Sequence, residues 1–371
     1  MSGPDVAALG LLDGLEDEDA RAARRALLEA LHDDGVDGEE LRTAVDDGRL
    51  ALLPAERALG GAATLTPREV AEQAGVDLAA LEAVRRACGL PLPARDAREL
   101  GDLDLAGARA LKELVDSGLP LDGLVLASRV FGEAAAHAAA AAGTLANRTI
   151  PRAGDTERDY ALRLAQAAAA LTPHSSELLG VLYQLHTRAN LRQEIVAAEE
   201  ITAGRRSDVH EVSIGFCDLV GFTRLGEGVP AADLGEIATR LAALATDVTE
   251  PPVRLVKTIG DAVMLVAPDP GGLLLALLDL MDAAEAEGDG FPSVHAGVAH
   301  GLALRRWGDY YGECVNLAAR LTERARPNSL ITHAEVRERL ADDERFGWSD
   351  AGAKRLKGVS DPVSTWRVRR P

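Results

Sequence analysis

The sequence IGFCDLVGFT occupies residues 214–223, and KTIGD follows it at residues 257–261. In both segments an apolar run reaches an aspartate, Asp218 in the first and Asp261 in the second, with a turn glycine close by. Short apolar runs bounded by glycine are typical of β-strands that end in tight turns. The segments therefore predict two strand ends that each present a carboxylate, a ligand that divalent cations such as Mg²⁺ prefer.

A third segment, GDYYGECVNLAAR at residues 308–320, carries polar groups at spacings that a purely structural segment does not need. Asn316 and Arg320 lie four positions apart in its helical part, so they share one face of the predicted helix. Asp309 precedes that helix. In other contexts an Asn–Arg pair at this spacing is an ordinary surface pair, so only the surrounding motif can indicate a functional role for these two residues.

From Val209 onward, short β-type runs alternate with helical stretches. The predicted strands cover residues 212–216, 253–257, 262–266, 294–299, 329–332 and 363–368. The predicted helices cover residues 230–249, 273–287, 315–324 and 334–341. The order βαββαβ predicts an α+β, ferredoxin-like domain, in which helices pack on one face of a sheet with antiparallel strands.

On these three segments, residues 207–371 resemble the catalytic domain of the class III nucleotide cyclases. The resemblance implies that Asp218 and Asp261, with the Leu219 carbonyl as a further ligand, hold two Mg²⁺ or Mn²⁺ ions in each active site. It also implies attack of a ribose 3′-hydroxyl on the α-phosphate, giving a 3′,5′-cyclic nucleotide and pyrophosphate. A P-loop ATPase is excluded, because the sequence contains no Walker lysine loop.

Lys257 and Asp309 match the family positions that select the base. Adenine offers an acceptor at N1 and a donor at N6, which an ammonium and a carboxylate complement. Guanine reverses this pattern, and the wrong base would leave buried polar groups unpaired. Lys257 is one of only four lysines in the chain, which makes its position informative. The resemblance therefore implies ATP as the substrate and adenylyl cyclase as the activity.

The remaining family positions carry the transition-state and triphosphate groups. The resemblance implies that Asn316 orients the ribose and that Arg320 stabilises the charge on the transferring phosphoryl group. Lys357 matches the triphosphate-binding lysine, with Lys354 as the alternative. In the family, two catalytic domains meet head to tail and share each site. Since one chain supplies every core position, a homodimer with two complete sites is expected. The complete set of positions also argues against a degenerate cyclase domain that has only a regulatory role.

Residues 1–205 predict an all-helical domain, because Ala, Leu, Glu and Arg dominate and β-branched residues are sparse. A capping box at Thr66 and a helix start at Asp77 give helix-turn-helix spacing. The second helix of that unit offers only Arg85 and Arg86 as basic groups, and the chain has a formal net charge of −19. DNA binding needs far more positive charge, so a protein-contact role is favoured.

A linker helix is predicted at about residues 175–200, with Thr172-Pro173 ending the helix before it. Its apolar positions follow the 4-3-4 pattern of a coiled-coil seam at Leu178, Leu182, Leu185, Ala189 and Val196. Such a helix can act as a lever between two domains or as a core helix of the first domain. The sequence leaves both interpretations open.

The helical half is similar to the autoinhibitory, pH-responsive region of certain actinobacterial cyclases. Histidine is the side chain that titrates near neutral pH, although each single histidine is more often a solvated or core residue. Those in or next to this half are His32, His137, His174, His186 and His210. The hypothesis is that this domain contacts the catalytic domain and controls cyclase activity, with acid pH or a bound lipid or other small ligand as the signal.

The cysteine positions and the hydropathy of the chain argue against several other classes of protein. Cys88, Cys217 and Cys314 show no metal-ligand spacing, so neither a zinc site nor a disulfide framework is expected. The first residues lead into an acidic stretch rather than the basic one of a signal peptide, and no apolar run reaches the roughly 20 residues of a spanning helix. We therefore expect a cytoplasmic protein without a membrane span. A nucleotide-sensing transcription regulator and an inert dimeric scaffold are the competing hypotheses.

Overall fold

The structure is a computed structural model that describes residues 11–193, 208–225, 228, 230–288, 290–357 and 361–371. Two compact units make up the chain, Met1–Leu191 and Arg192–Pro371. Within the described ranges, no helix is both long and apolar enough to cross a membrane.

The described part of the N-terminal unit is helical, as predicted, apart from one isolated bridge between Leu65 and Leu100. A 3₁₀ turn at Leu50–Leu52 separates the second and third helices. The helices are α1 (Glu18–Asp33), α2 (Gly38–Asp46), α3 (Leu53–Gly60), α4 (Pro67–Ala74), α5 (Leu78–Ala87), α6 (Asp102–Asp116), α7 (Leu121–Thr149) and α8 (Glu157–Gln193).

Helices α4 and α5 form the predicted helix-turn-helix. Thr66 and Glu69 make a reciprocal capping box at the start of α4, and Asp77 caps α5. Gly75 has a φ of 69°, the left-handed conformation that glycine adopts at little cost in the turn between them. The Arg85 guanidinium forms an ion pair with Asp104 on α6 and donates a hydrogen bond to the carbonyl of Pro91. This cation therefore already has partners within the N-terminal unit.

The prediction that Thr172-Pro173 ends a helix is wrong, because α8 continues through Pro173 to Gln193. A proline inside a helix costs about 3 kcal/mol, but the alanine- and leucine-rich turns on both sides strongly favour helix. The Ser175 hydroxyl also donates a hydrogen bond to the Leu171 carbonyl at 3.1 Å. The predicted linker helix is therefore the second half of one longer helix, and its residues 194–200 lie outside the described part.

The seam on α8 is exposed rather than part of a core. Leu178, Leu182 and Leu185 are 58%, 41% and 52% exposed. The same is true of α7, in which no residue is buried. The interpretation of residues 175–193 as a core helix of the first domain is therefore wrong, and Val196 lies outside the described residues.

The C-terminal unit contains one eight-stranded sheet with the order β2-β3-β1-β4-β6-β8-β7, with β5 paired to β4. The strands are β1 (Val209–Leu219), β2 (Arg254–Ile259), β3 (Ala262–Ala267), β4 (Val294–Arg306), β5 (Asp309–Tyr311), β6 (Ser329–His333), β7 (Gly347–Lys354) and β8 (Val363–Arg369). The described helices are α9 (Phe222–Leu225), α10 (Ala231–Asp247), α11 (Pro270–Ala286), α12 (Glu313–Arg324) and α13 (Ala334–Arg339).

The predicted ferredoxin-like unit is confirmed as β1-α10-β2-β3-α11-β4. Its neighbouring strands β2-β3-β1-β4 are all antiparallel. Helices α10 and α11 cover one face, where Leu241 and Leu277 join a core with Cys217. The expectation that the helices share one face is wrong for α12, whose Ala318 and Leu321 pack on the opposite face. The cause is that β1, β3 and β4 carry buried apolar residues on both faces.

Candidate active site

The two predicted metal-binding aspartates lie side by side. Asp218 is the penultimate residue of β1 and pairs in register with Ala262 of β3. Asp261 is the second residue of the two-residue turn between β2 and β3, and the preceding Gly260 has a φ of 62°, which glycine tolerates. The Leu219 backbone N–H donates to the Asp261 carbonyl oxygen at 3.3 Å. The strand ends that the motifs predict therefore meet.

The charges of these carboxylates are poorly compensated. The pKa of Asp261 is raised, first by burial and then by the charge of Asp218. Among the described residues neither aspartate forms an ion pair with a lysine or arginine. Two adjacent carboxylates without a lysine or arginine partner are a donor set that suits a divalent cation. The side chains present thus fit the implied metal pair.

His295 is a neighbour of this pair that the sequence analysis did not identify. It lies opposite Asp218 in the β1–β4 register, with its Nε2 at 3.4 Å from Asp218 Oδ2. Its Nδ1 lies 3.1 Å from the Ala325 carbonyl oxygen. The contact with Asp218 raises the pKa of His295, because the carboxylate favours the charged imidazolium.

The predicted base-selecting residues form a hydrogen-bonded ion pair. Lys257 on β2 donates through Nζ to Oδ2 of Asp309, the first residue of β5. Oδ1 of Asp309 accepts the Tyr310 backbone N–H at 2.8 Å, and the Arg254 guanidinium donates to the Tyr310 hydroxyl at 2.5 Å. Because Lys257 is 40% and Asp309 23% exposed along their side chains, a ligand can reach both.

The strand register places one member of each pair on the same face of the sheet. Lys257 is opposite Met264 on β3, and Met264 is opposite Phe216 on β1. Side chains two positions apart on a strand share a face, so Asp218 lies on the same side as Phe216. The core that contains Phe216 and Met264 also contains residues of α12. Asp218, Lys257 and α12 therefore lie on the same side of the sheet.

A glycine fixes the position of α12 against the sheet. A Cβ atom at Gly297 of β4 would lie 2.3 Å from the backbone nitrogen of Thr322, so only glycine permits this close approach. Asn316 on α12 is exposed. Arg320 is partly exposed and donates to Glu323 Oε1 at 2.6 Å. In the described part of the chain, no hydrogen bond or ion pair joins these two side chains to Asp218 or Asp261.

The two candidate triphosphate lysines differ in setting. Leu356 is buried and packs into the core beneath α12, which anchors the segment that carries Lys357. Lys357 is exposed, whereas Lys354 is the last residue of β7 and is half-buried. Within the described ranges neither ammonium group forms an ion pair, so both are free to meet an anion.

Known families match both parts of the chain. A family described as adenylate cyclase regulatory domain matches residues 4–195, and one described as adenylate and guanylate cyclase catalytic domain matches residues 205–370. A pH-sensitive adenylate cyclase of Mycobacterium tuberculosis is 41% identical over 362 residues, covering 95% of this chain and 89% of that protein. An adenylate cyclase of Streptomyces coelicolor is 30% identical, covering 83% of this chain and 80% of that protein.

Solved structures match the C-terminal part. The adenylyl cyclase CyaB from P. aeruginosa aligns with 44% of this chain and 95% of its own, at a TM-score of 0.38 and 21% identity. An adenylate/guanylate cyclase/hydrolase from Silicibacter pomeroyi aligns with 43% of this chain and 96% of its own, at a TM-score of 0.37 and 22% identity.

Proposed function

The chain belongs to the adenylate cyclases in which a regulatory domain precedes the catalytic domain, and from this premise we propose how it works. It converts ATP into 3′,5′-cyclic AMP and pyrophosphate with two divalent cations, at sites shared between the catalytic domains of a homodimer. The observation that carries this proposal is the Lys257–Asp309 pair, which faces the same side of the sheet as Asp218.

Lys257 and Asp309 select adenine. In the absence of a base they satisfy each other, so neither is left as an unpaired charge. When adenine enters, the ammonium donates to N1 and the carboxylate accepts from the N6 amino group. Guanine presents a donor where Lys257 needs an acceptor, and each mismatch costs about 1–3 kcal/mol.

Asp218 and Asp261, with the Leu219 carbonyl, would hold the two cations. Mg²⁺ or Mn²⁺ bound there would supply Lewis-acid activation of the ribose 3′-hydroxyl and neutralise triphosphate charge. The carboxylates are preorganised by the β1–β3 pairing and by the backbone bond from Leu219 to Asp261. This preorganisation lets them bind the metals without rearranging the strands.

Asn316 orients the ribose, and Arg320 stabilises the charge that develops on the transferring phosphoryl group. Arg320 is held by Glu323 within the exposed turn of α12. Such an exposed pair contributes at most about 1 kcal/mol, so Arg320 can exchange Glu323 for a phosphate. Lys357, or Lys354 in its place, binds the triphosphate.

A homodimer explains why these groups are not joined within one chain. The Asn316–Arg320 pair of one chain would complete the site around Asp218 and Asp261 of the other, as the family resemblance implies. The exposed apolar residues of α7 and α8 support a second copy as the partner, because apolar helix faces of this length are normally covered.

The N-terminal domain controls activity by changing how the two catalytic domains meet, and acid pH is the candidate signal. A relative at 41% identity is named pH-sensitive, which supports this choice. His137, His174 and His186 lie on α7 and α8 at exposed positions. A lipid or other small ligand on the same domain is the alternative signal.

The test is cyclic AMP formation from ATP with Mn²⁺ and with Mg²⁺, from pH 5 to 8, in the full chain and in residues 206–371. Product from both, with a pH dependence confined to the full chain, is the expected result. A truncated protein with the pH profile of the full chain would refute regulation by the N-terminal domain. No product from a folded, dimeric full chain would refute the catalytic proposal.

A further inference from the structure

Three potential metal ligands gather far from the catalytic aspartates. Glu211 of β1, His300 of β4 and Glu335 of α13 place ligand atoms within 4.8 Å of one another. Glu211 precedes Asp218 by seven residues, which is roughly 23 Å along a strand. The odd spacing also puts the two side chains on opposite faces of the sheet. This cluster is therefore separate from the catalytic site.

The His300 ring is oriented for a cation. The residue is only 5% exposed, and its Nδ1 lies 2.8 Å from the Ser213 hydroxyl. Its Nε2 is buried and has no hydrogen-bond partner among the residues that the structure describes, although Glu211 Oε1 is 3.3 Å away. The short distance does not make a hydrogen bond, because the geometry is wrong for one. A buried polar nitrogen without a partner is unusual in a folded protein.

The unpartnered nitrogen has a simple explanation in terms of the tautomer. If Nδ1–H donates to Ser213, Nε2 carries a lone pair and lies 3.3 Å from a carboxylate oxygen of Glu211. Two acceptors at that distance repel each other unless a positive charge lies between them. A hydrogen bond that fixes one ring nitrogen while the other faces a carboxylate cluster is the arrangement found around metal-bound histidines.

Arg339 occupies the solvent side of this cluster. Its guanidinium forms ion pairs with Glu211 and with Glu335, the latter at 3.3 Å. The arginine side chain is 42% exposed, and an ion pair this exposed contributes little, so the arginine can move into solvent. Arg339 thus competes with a metal ion for the same oxygens and does not block access to them.

We propose that Glu211, His300 and Glu335 form a second divalent-metal site, selective for a transition ion such as Zn²⁺ over Mg²⁺. One imidazole and two carboxylates suit Zn²⁺, which takes three protein ligands and keeps an open position. Mg²⁺ prefers an all-oxygen octahedral shell. The bound ion joins β1 and β4 to α13, so it stabilises the folded C-terminal unit by an amount that rises with the logarithm of the ion concentration above the dissociation constant.

The experiment uses the full chain after treatment with a chelator and dialysis. Co²⁺ is titrated as a visible-absorption probe of nitrogen–oxygen coordination, and Zn²⁺ then competes for the site. Glu335→Gln is expected to weaken binding by about 10- to 100-fold or more, since even outer-shell changes have that effect. Glu338→Gln, at another exposed glutamate of α13, is the matched control and leaves binding unchanged.

Arg339→Gln supplies the sharper test, because removal of the competing cation is expected to tighten Co²⁺ and Zn²⁺ binding by about tenfold. A structural salt-bridge cluster predicts no tightening. A double substitution, Asp218→Asn with Asp261→Asn, should leave the Co²⁺ spectrum and the Zn²⁺ affinity intact. Equal affinities in Glu335→Gln and Glu338→Gln, or loss of the spectrum in the aspartate double variant, would overturn the proposal.

Discussion

The C-terminal unit buries apolar side chains on both faces of its sheet, whereas helices α7 and α8 leave most of theirs exposed. On the helices that cover the sheet, residues such as Leu277 of α11 on one side and Leu321 of α12 on the other are fully buried. In α7 no residue is buried, and along α8 the leucines from Leu171 to Leu191 are exposed. The same apolar residue types therefore build a core in one region and a surface in the other.

The difference shows that the two regions carry function in different ways. In the C-terminal unit, each candidate site residue has a place fixed by strand register, as in the Asp218–Ala262 pairing. In α7 and α8, the candidate functional feature is an extended apolar surface, and each exposed side chain makes up only a small part of its area. Single substitutions should therefore have severe effects in the first region and modest effects in the second.

The largest effect is expected for Asp261→Asn. Loss of one metal-binding carboxylate should lower kcat for cyclic AMP formation by about 10³-fold, since bound cations supply several kcal/mol of stabilisation in the transition state. Asp342→Asn, at an exposed acid after α13, should leave the rate unchanged. A comparable loss from any single substitution on the exposed face of α8 would break the contrast between the regions.

A change of base preference is the next largest. Lys257→Glu combined with Asp309→Cys should shift the ratio of ATP to GTP turnover by about 10²-fold towards GTP. The reason is that a donor becomes an acceptor at residue 257 and an acceptor becomes a donor at residue 309. The measurement is kcat/KM for both nucleotides. Lys354→Glu is the control, since a triphosphate contact affects both nucleotides equally. An unchanged ratio in the double variant would remove Lys257 and Asp309 from base recognition.

The catalytic half was predictable from sequence because its signals are local. Asp218, Asp261 and Lys257 lie where apolar strand runs meet turn glycines, and a short window of sequence contains that information. His295 was not predictable, since its contact with Asp218 depends on the β1–β4 register across 77 residues. The same holds for the Glu211–His300–Glu335 cluster, whose members come from three separate elements.

Two further differences from the sequence predictions have physical causes. Strand β7, with the sequence GWSDAGAK, has little β-propensity and is held in place by its pairing with β8. Pro173 predicts the end of a helix, yet the helix continues through it. The free-energy penalty of one proline in a helix is smaller than the combined helix preference of the residues in the turns around it. In both cases the surrounding structure overrides a local signal.

Leu178→Asp tests the exposed apolar face of α8. If a second copy covers this face of α8, a charge at this position should weaken dimerisation of the full chain by about tenfold, because the carboxylate must be desolvated. Sedimentation at several concentrations measures the dimer dissociation constant. Ser176→Asp, on the opposite side of the same helix, is the matched control. Equal dissociation constants would show that this face is not part of the dimer contact.

The smallest expected effect concerns a buried histidine of the C-terminal unit. Burial lowers the pKa of His333 below 6.5 in the folded state, so the unfolded chain binds more protons when the pH lies between the two values. The stability of the unit is therefore full above about pH 6.5 and decreases as the pH falls towards the folded-state pKa. For one such group the slope is at most about 1.4 kcal/mol per pH unit.

All three tryptophans, Trp307, Trp348 and Trp366, lie in the C-terminal unit, so their fluorescence follows its unfolding within the full chain. Urea unfolding with a chelator present, from pH 5 to 8, should show a shallower pH dependence in His333→Gln than in the unsubstituted chain. His186→Gln on the exposed face of α8 should show no such difference. If both histidine variants kept the original slope, protonation of the buried ring would not contribute to the acid sensitivity of the catalytic unit. That sensitivity would then have to come from groups elsewhere in the unit.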